Sequence, residues 1–168
     1  MKYFITYLLL IFLIFSCEKN SPAPEIENTI ISIESNSSSY NVGETIQVKV
    51  TIENIVLPVF DFYCNILYDS AKLDIDNSAD LIVGDFLSDN IIPYINVQET
   101  IIHVTITSIQ REIGVTGDGT AFFLSFEAVS SGQAILEFEP DELDFYDSSG
   151  SIMNIENIEL QSLTISIY

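Results

Sequence analysis

The stretch FDFYCNILYDSAKLDI, Phe60 to Ile75, alternates its apolar residues: Phe60, Phe62, Cys64, Ile66 and Tyr68 fall on one side of an extended chain. That period of two predicts a strand with one side in a core. The other side carries Asp61, Tyr63, Asn65 and Leu67, and the polar turn DSAK follows before Leu73 opens another short strand. The outward side is either simply solvated or a surface that receives a partner.

The same alternation extends in both directions. In TIQVKVTIEN, Ile46, Val48, Val50 and Ile52 face in while Thr45, Gln47, Lys49 and Thr51 face out. In TIIHVTITS, Ile102, Val104 and Ile106 face in. Further strands are predicted in TIISIES, KLDID, IIPYINV, GDGTAFFLSFEAV and GQAILEFEP, the last two parted by the tight turn SSG. The closing segment IENIELQSLTISIY changes phase: Ile158 and Leu160 share one parity, Leu163, Ile165 and Ile167 the other. A bulge near Gln161-Ser162 would reconcile them. No segment carries a helical period. About nine strands with turn punctuation describe an all-β sandwich or jelly roll.

Composition agrees and narrows the function. The 168 residues are rich in Ile, Val, Thr, Tyr and Phe, residues that favour strands. Twenty-five acidic residues against five basic ones give a formal charge of −20. Such a surface repels phosphate backbones and anionic headgroups, which excludes nucleic acid as a partner. Neutral glycans, basic or mixed-charge protein faces and calcium are compatible with it.

The first residues, MKYFITYLLLIFLIFSC, hold an apolar run from Tyr3 to Phe15. A spanning helix needs roughly 20 apolar residues, so the run is a targeting segment. A small residue before a Cys at its end resembles the bacterial lipoprotein signal, with Ile14 and Ser16 fitting the motif and Phe15 bulkier than usual. That resemblance implies cleavage after residue 16 and a lipid on Cys17. Residues 17–28, including EKNSPAPEIEN, then form a tether, and 29–168 form the domain. The chain is expected outside the cytoplasm, anchored to a bacterial membrane, with the outer membrane or cell surface favoured. An ordinary secretory signal or an uncleaved anchor is the alternative, and each also places the domain outside the cytoplasm. With Cys17 lipidated, Cys64 has no disulfide partner and packs as a small hydrophobe.

Three pieces in order, YNVGETIQVKVTIENI, FDFYCNILYDSAKLDI and GDGTAFFLSFEAVSSGQAILEFE, resemble a cohesin domain, the nine-stranded jelly roll that receives dockerins in cellulosomes. The resemblance covers residues 29–168. Gly43 and Gly132 stand where its turns need positive φ, and Asp69 where a carboxylate caps the turn after Tyr68. Recognition in that family uses the outer face of one sheet. On this chain the matching positions are Asp61, Tyr63, Asn65 and Leu67 on one strand and His103, Thr105 and Thr107 on its neighbour. Asp61 falls at a position that is often polar. Tyr63 stands where an acid is common, Thr105 and Thr107 where more apolar residues are usual, and Ser108 near a position that is often acidic. The implied role is a non-catalytic, membrane-anchored module that captures a dockerin-bearing protein in polysaccharide-degrading machinery. Direct carbohydrate binding and a structural envelope lipoprotein are the rivals. Tyr63 and Tyr94 are the only obvious aromatics for stacking on sugars.

Other chemistry is poorly supported. His103 is the sole histidine and has no cysteine partner for zinc except the inward Cys64. The acids Glu139, Asp141, Glu142, Asp144 and Asp147 cluster in EPDELDFYDSSG, a segment expected to be a loop, and nothing marks two of them as a glycosidase pair. Asp74, Asp76, Ser78 and Asp80 alternate like a calcium loop, but Ala79 and Asp85 stand where an EF-hand needs Gly and Glu. No cofactor is expected, with weak calcium binding as the one open case.

Overall fold

The computed structural model describes residues 28–75, 81–87, 90–109 and 111–168. They form two facing β-sheets and no helix. The strands are β1 (Thr29–Ser35), β2 (Ser39–Tyr40), β3 (Thr45–Val59), β4 (Asp61–Tyr68), β5 (Leu73–Asp74), β6 (Leu81–Val83), β7 (Ile91–Gln98), β8 (Ile101–Ser108), β9 (Val115–Ala128), β10 (Gly132–Tyr146), β11 (Ile158–Gln161) and β12 (Leu163–Ile167). Nine of these have four residues or more; β2, β5 and β6 are shorter. Sheet A runs β11-β1-β3-β9-β5, with β6 also pairing β9; sheet B runs β2-β12-β10-β4-β8-β7.

The core follows the alternation. Ile46, Val48, Val50 and Ile52 from sheet A and Phe62, Cys64, Ile66, Ile102, Val104 and Ile106 from sheet B are all fully buried. Aromatic rings join the layers. Phe62 sits 5.0 Å from Phe145 of its own sheet and 6.4 Å from Phe122 of the other, and Tyr68 lies 5.8 Å from Phe126. Such tilted pairs contribute about 0.5–1.5 kcal/mol each beyond their buried area. Burial pushes the Cys64 thiol well above its ordinary value, so it stays protonated and unreactive.

The turns behave as their residues require. Gly43 and Gly132 take φ of 87° and 130°, conformations that an L side chain rarely adopts. The Asp69 carboxylate accepts the Ala71 amide at 3.1 Å, and Leu73 returns to the core beyond it.

Two expectations are corrected. The closing segment is not one bulged strand. Its first half, β11, pairs parallel with β1 in sheet A, and its second half, β12, pairs antiparallel with β10 in sheet B. The parity flips because the chain changes sheet, and the two inner faces look in opposite directions. The acidic segment Glu139–Asp144 is not a loop either. β10 runs through it, and a bulge between Phe138 and Leu143 sets four residues, 139–142, opposite Asn65 alone. Pro140 cannot donate to a ladder, which makes this the natural place for the ladder to open.

The poles of the sandwich differ. β3, β8 and β10 end and β4 begins at one pole, around Asp61; β4 ends and β10 begins at the other, around Tyr68 and Gly132. The chain enters β1 on the Asp61 side, where Asn54 donates to the Asn28 carbonyl at 3.3 Å. It leaves through Ile167, paired to Gly132, at the opposite pole.

Candidate functional site

The outer face of sheet B is built in cross-strand rows. Ile92, Thr107, Asp61 and Tyr146 form one row; Tyr94, Thr105, Tyr63 and Asp144 the next; Asn96, His103 and Asn65 the third; Gln98, Ile101, Leu67 and Glu137 the fourth. The structure therefore brings all seven predicted positions onto one face. It does not leave them equally accessible. Tyr63, Leu67, His103, Thr105 and Thr107 are half-buried, while Asp61 and Asn65 are buried.

Asn65 is buried because three elements close over it. Its amide nitrogen donates to Glu139 of the β10 bulge at 3.0 Å. Its carbonyl oxygen receives the Tyr63 hydroxyl at 2.8 Å and faces His103 Nδ1 at 2.7 Å. With the nitrogen turned to a carboxylate, that oxygen must accept, so His103 carries a proton on Nδ1. The Tyr63 hydroxyl also lies 3.1 Å from Glu142, and its single proton serves one acceptor at a time. Burial and the neighbouring Glu142 carboxylate hold the Tyr63 phenol above its ordinary value.

Asp61 is buried for a different reason. It lies where β4 leaves the β3 turn, and the connection after β8 folds across it. Its carboxylate accepts from Arg111 at 2.7 Å and from the Ser108 amide at 3.0 Å, an amide shared with the Phe60 carbonyl. Arg111 also donates to the Asp147 and Ser148 carbonyls at 3.1 and 3.3 Å, so one guanidinium ties three segments together. Asp61 is thus a strut of this face, and of the predicted positions those that remain accessible are Tyr63, Leu67, His103, Thr105 and Thr107.

The surrounding surface is acidic and patchily apolar. Glu137, Asp141 and Glu142 are exposed along β10, and Asp144 is half-buried. Ile92 and Tyr94 are exposed on the edge strand β7, and Ile135 on β10. A hollow of about 280 Å³ is lined by Leu67, Tyr68, Asp69, Gln133, Ile135 and Glu137. Each of the described cations meets a carboxylate: Lys49 meets Glu34, Lys72 meets Asp69 and Arg111 meets Asp61. No group of three or more metal-ligating side chains converges among the described residues. Residues 76–80 of the alternating acidic series lie outside the described residues, as does Cys17.

The sequence of the cohesin domain family matches residues 30–155. The chain belongs to the cohesin family. Its fold is shared by a non-cellulosomal cohesin from the archaeon Archaeoglobus fulgidus, with a TM-score of 0.65 at 23% identity over 84% of this chain and 92% of that one. A type II cohesin domain from the cellulosome of Acetivibrio cellulolyticus superposes with a TM-score of 0.70 at 17% identity, covering 83% and 95%. A type II cohesin–X-dockerin complex from the same bacterium gives 0.72 at 17% identity, covering 84% and 100%. No curated protein matches the chain.

Sequence reasoning missed Glu139, Glu142 and Arg111 as parts of this cohesin's face. A signal for the bulge was present: Ala134, Leu136 and Phe138 share one parity, and Leu143 and Phe145 the other. Arg111 left no comparable signal, because its partner Asp61 is 50 residues away in the chain.

Proposed function

We propose that this cohesin is a non-catalytic capture module whose sheet B face docks a dockerin-bearing protein. A lipid on Cys17 holds it at a bacterial membrane, outside the cytoplasm, as part of polysaccharide-degrading machinery. The observation that carries the reading is the pinned network at the centre of that face. Tyr63, His103 and Glu139 are held around one buried amide before any partner arrives, so little side-chain freedom is lost on docking. Tyr63 offers rigid amphipathic area of the kind that dominates interfaces. The acidic β10 flank favours a partner face bearing Lys or Arg.

Among the relatives, one cohesin is seen bound to an X-dockerin module, and another belongs to a family 33 glycoside hydrolase of Clostridium perfringens. These support the partner class and the carbohydrate setting.

The test immobilises the chain and passes envelope and extracellular proteins over it, first with calcium and then with chelator. Retention of a protein with paired Asp-rich calcium loops, released by chelator and lost in Tyr63→Ala, is the expected result. Retention that Tyr63→Ala leaves unchanged rules out this face. Tyr94 and Tyr63 share a row two strands apart, roughly 10 Å, which also suits stacking on a glycan. If no protein is retained, a glycan array tests that second reading.

A further inference from the structure

We infer that the Asp61 pole of the domain rests on the lipid surface to which the chain is anchored; this rests on the membrane-anchored reading above. Three turns meet at that pole, and each projects an aliphatic side chain into solvent. Val56 and Leu57 precede the β3–β4 turn, Ile109 and Ile113 lie in the connection from β8 to β9, and Ile152 bridges to Tyr146 at the end of β10. Val56 and Ile113 are 81% and 86% exposed, the highest values among the exposed large hydrophobics. These segments are held together. A Cβ at Gly114 would lie 2.6 Å from both Pro58 and the Phe60 ring, and Arg111 links Asp61 to the 147–148 carbonyls. Scattered exposed aliphatics are ordinary, but a group of five on fixed turns at one end is a candidate contact surface.

The position of the chain entry decides the occupant. β1 begins on this side, with Asn28 held by Asn54, and the chain upstream contains the apolar run Tyr3–Phe15 and Cys17. Residues 18–27 span at most about 35 Å when fully extended. The anchor is therefore joined to the domain on this side, and not at the Gly132 pole. Aliphatic side chains that reach the headgroup boundary gain from burial there. The charges nearby choose the lipid. Arg111 is neutralised by Asp61, and the Asp147 carboxylate is engaged by Ser149 and Ser151. The Asp118 carboxylate accepts the Asn54 amide. Glu53 and Glu112 add negative charge, which favours a zwitterionic surface over an anionic one. Seated this way, the strands stand upright and the sheet B face looks sideways, clear of the membrane.

The test uses the full chain, produced in a bacterium that processes lipoproteins and reconstituted into phosphatidylcholine vesicles. An environment-sensitive fluorophore is attached at Ile113→Cys or, as the control at the other pole, at Val129→Cys. Cys64 is fully buried and does not compete for label. The expected result is a blue-shifted emission, quenched by nitroxide-headgroup lipid, at position 113 and not at 129. The shift should shrink when Val56→Asp is added. Equal, water-like emission from both sites on vesicles that carry the chain through flotation overturns the seating alone. A chain that does not float with the vesicles overturns the anchoring and the seating together.

Discussion

On the outer face of sheet A, Glu34 meets Lys49 at 2.9 Å and Ser32 meets Thr51 at 2.6 Å, each between neighbouring strands of a regular ladder. On the outer face of sheet B, one buried amide gathers Tyr63, His103 and Glu139 from three strands, and one buried carboxylate gathers Arg111 and the Ser108 amide. Both faces alternate polar residues in the sequence. The first is a local cluster confined to two neighbouring strands, in which Ser32 is buried but Glu34 and Lys49 stay more than two-fifths exposed. The second has withdrawn polar groups from water and tied them together, and each must be matched or the face is destabilised. A pattern of outward polar residues thus says nothing about preorganisation until their partners are known.

The comparison breaks most readily at Asp61. Asp61→Ala removes a charge-assisted bond to Arg111 and one to Ser108, and should destabilise the domain by about 2 kcal/mol in urea titrations. A loss no larger than that of a sheet A substitution would make Asp61 an ordinary surface acid. Asn65→Ala comes next. It leaves the Nδ1 proton of His103 and the Glu139 carboxylate without their shared partner, for an expected loss of about 1–2 kcal/mol. Thr51→Ala on the other face leaves the buried Ser32 hydroxyl its bond to Glu34, so the loss should stay below about 1 kcal/mol. Equal effects at Asn65 and Thr51 would erase the distinction between the faces. Asn65→Ala should also weaken capture of the partner, because the groups it positions are then free to move.

Much of this was legible in the residues. The inward rows of β3, β4 and β8, the lone buried Cys64 and the turns at Gly43 and Gly132 all follow from period two and from which residues tolerate positive φ. The parity changes were legible only as changes. At Phe138/Leu143 the cause is a four-residue bulge within one sheet, and at Leu160/Leu163 it is a crossing between sheets. Both leave the same mark on the sequence, since each inverts which parity is apolar. Only the identity of the paired strand separates them. Asp61 and Asn65 were placed on the right face but not at the right depth, because what covers them, Arg111 and the bulge, arrives from distant segments.

A smaller effect sharpens the contrast through pH. Tyr63 and Tyr146 have phenols raised above their ordinary value, chiefly by burial and then by neighbouring carboxylates. A raised folded-state value means their contribution is complete below the ordinary tyrosine range, near 10, and is lost as pH climbs through the folded value. Thermal melts should therefore drop as pH rises past about 10. Tyr63→Phe should flatten part of that drop, with Tyr146, Tyr68 and Cys64, whose values burial also raises, supplying the remainder. No change in slope would mean that the Tyr63 hydroxyl is as well solvated in the folded chain as in the unfolded one.

The smallest effect belongs to sheet A. Lys49 donates to Glu34 and, as the largest influence on it, holds that carboxyl below its ordinary value. Both side chains are more than two-fifths exposed, so solvent screens the pair and Lys49→Ala should destabilise by only about 0.3 kcal/mol. Because the folded value is lowered, the contribution is present above the ordinary value of 4.5 and disappears as pH falls through the folded one. It should also fade in molar salt, where the Debye length is about 3 Å. An NMR titration of Glu34 in the variant should show its value moving up toward 4.5, while double-mutant coupling to Thr51 stays small. A coupling as large as that between Asn65 and Glu139 would show that the sheet A cluster is tied as tightly as the Asn65 network, and that the number of strands joined is the wrong property by which to tell the two faces apart.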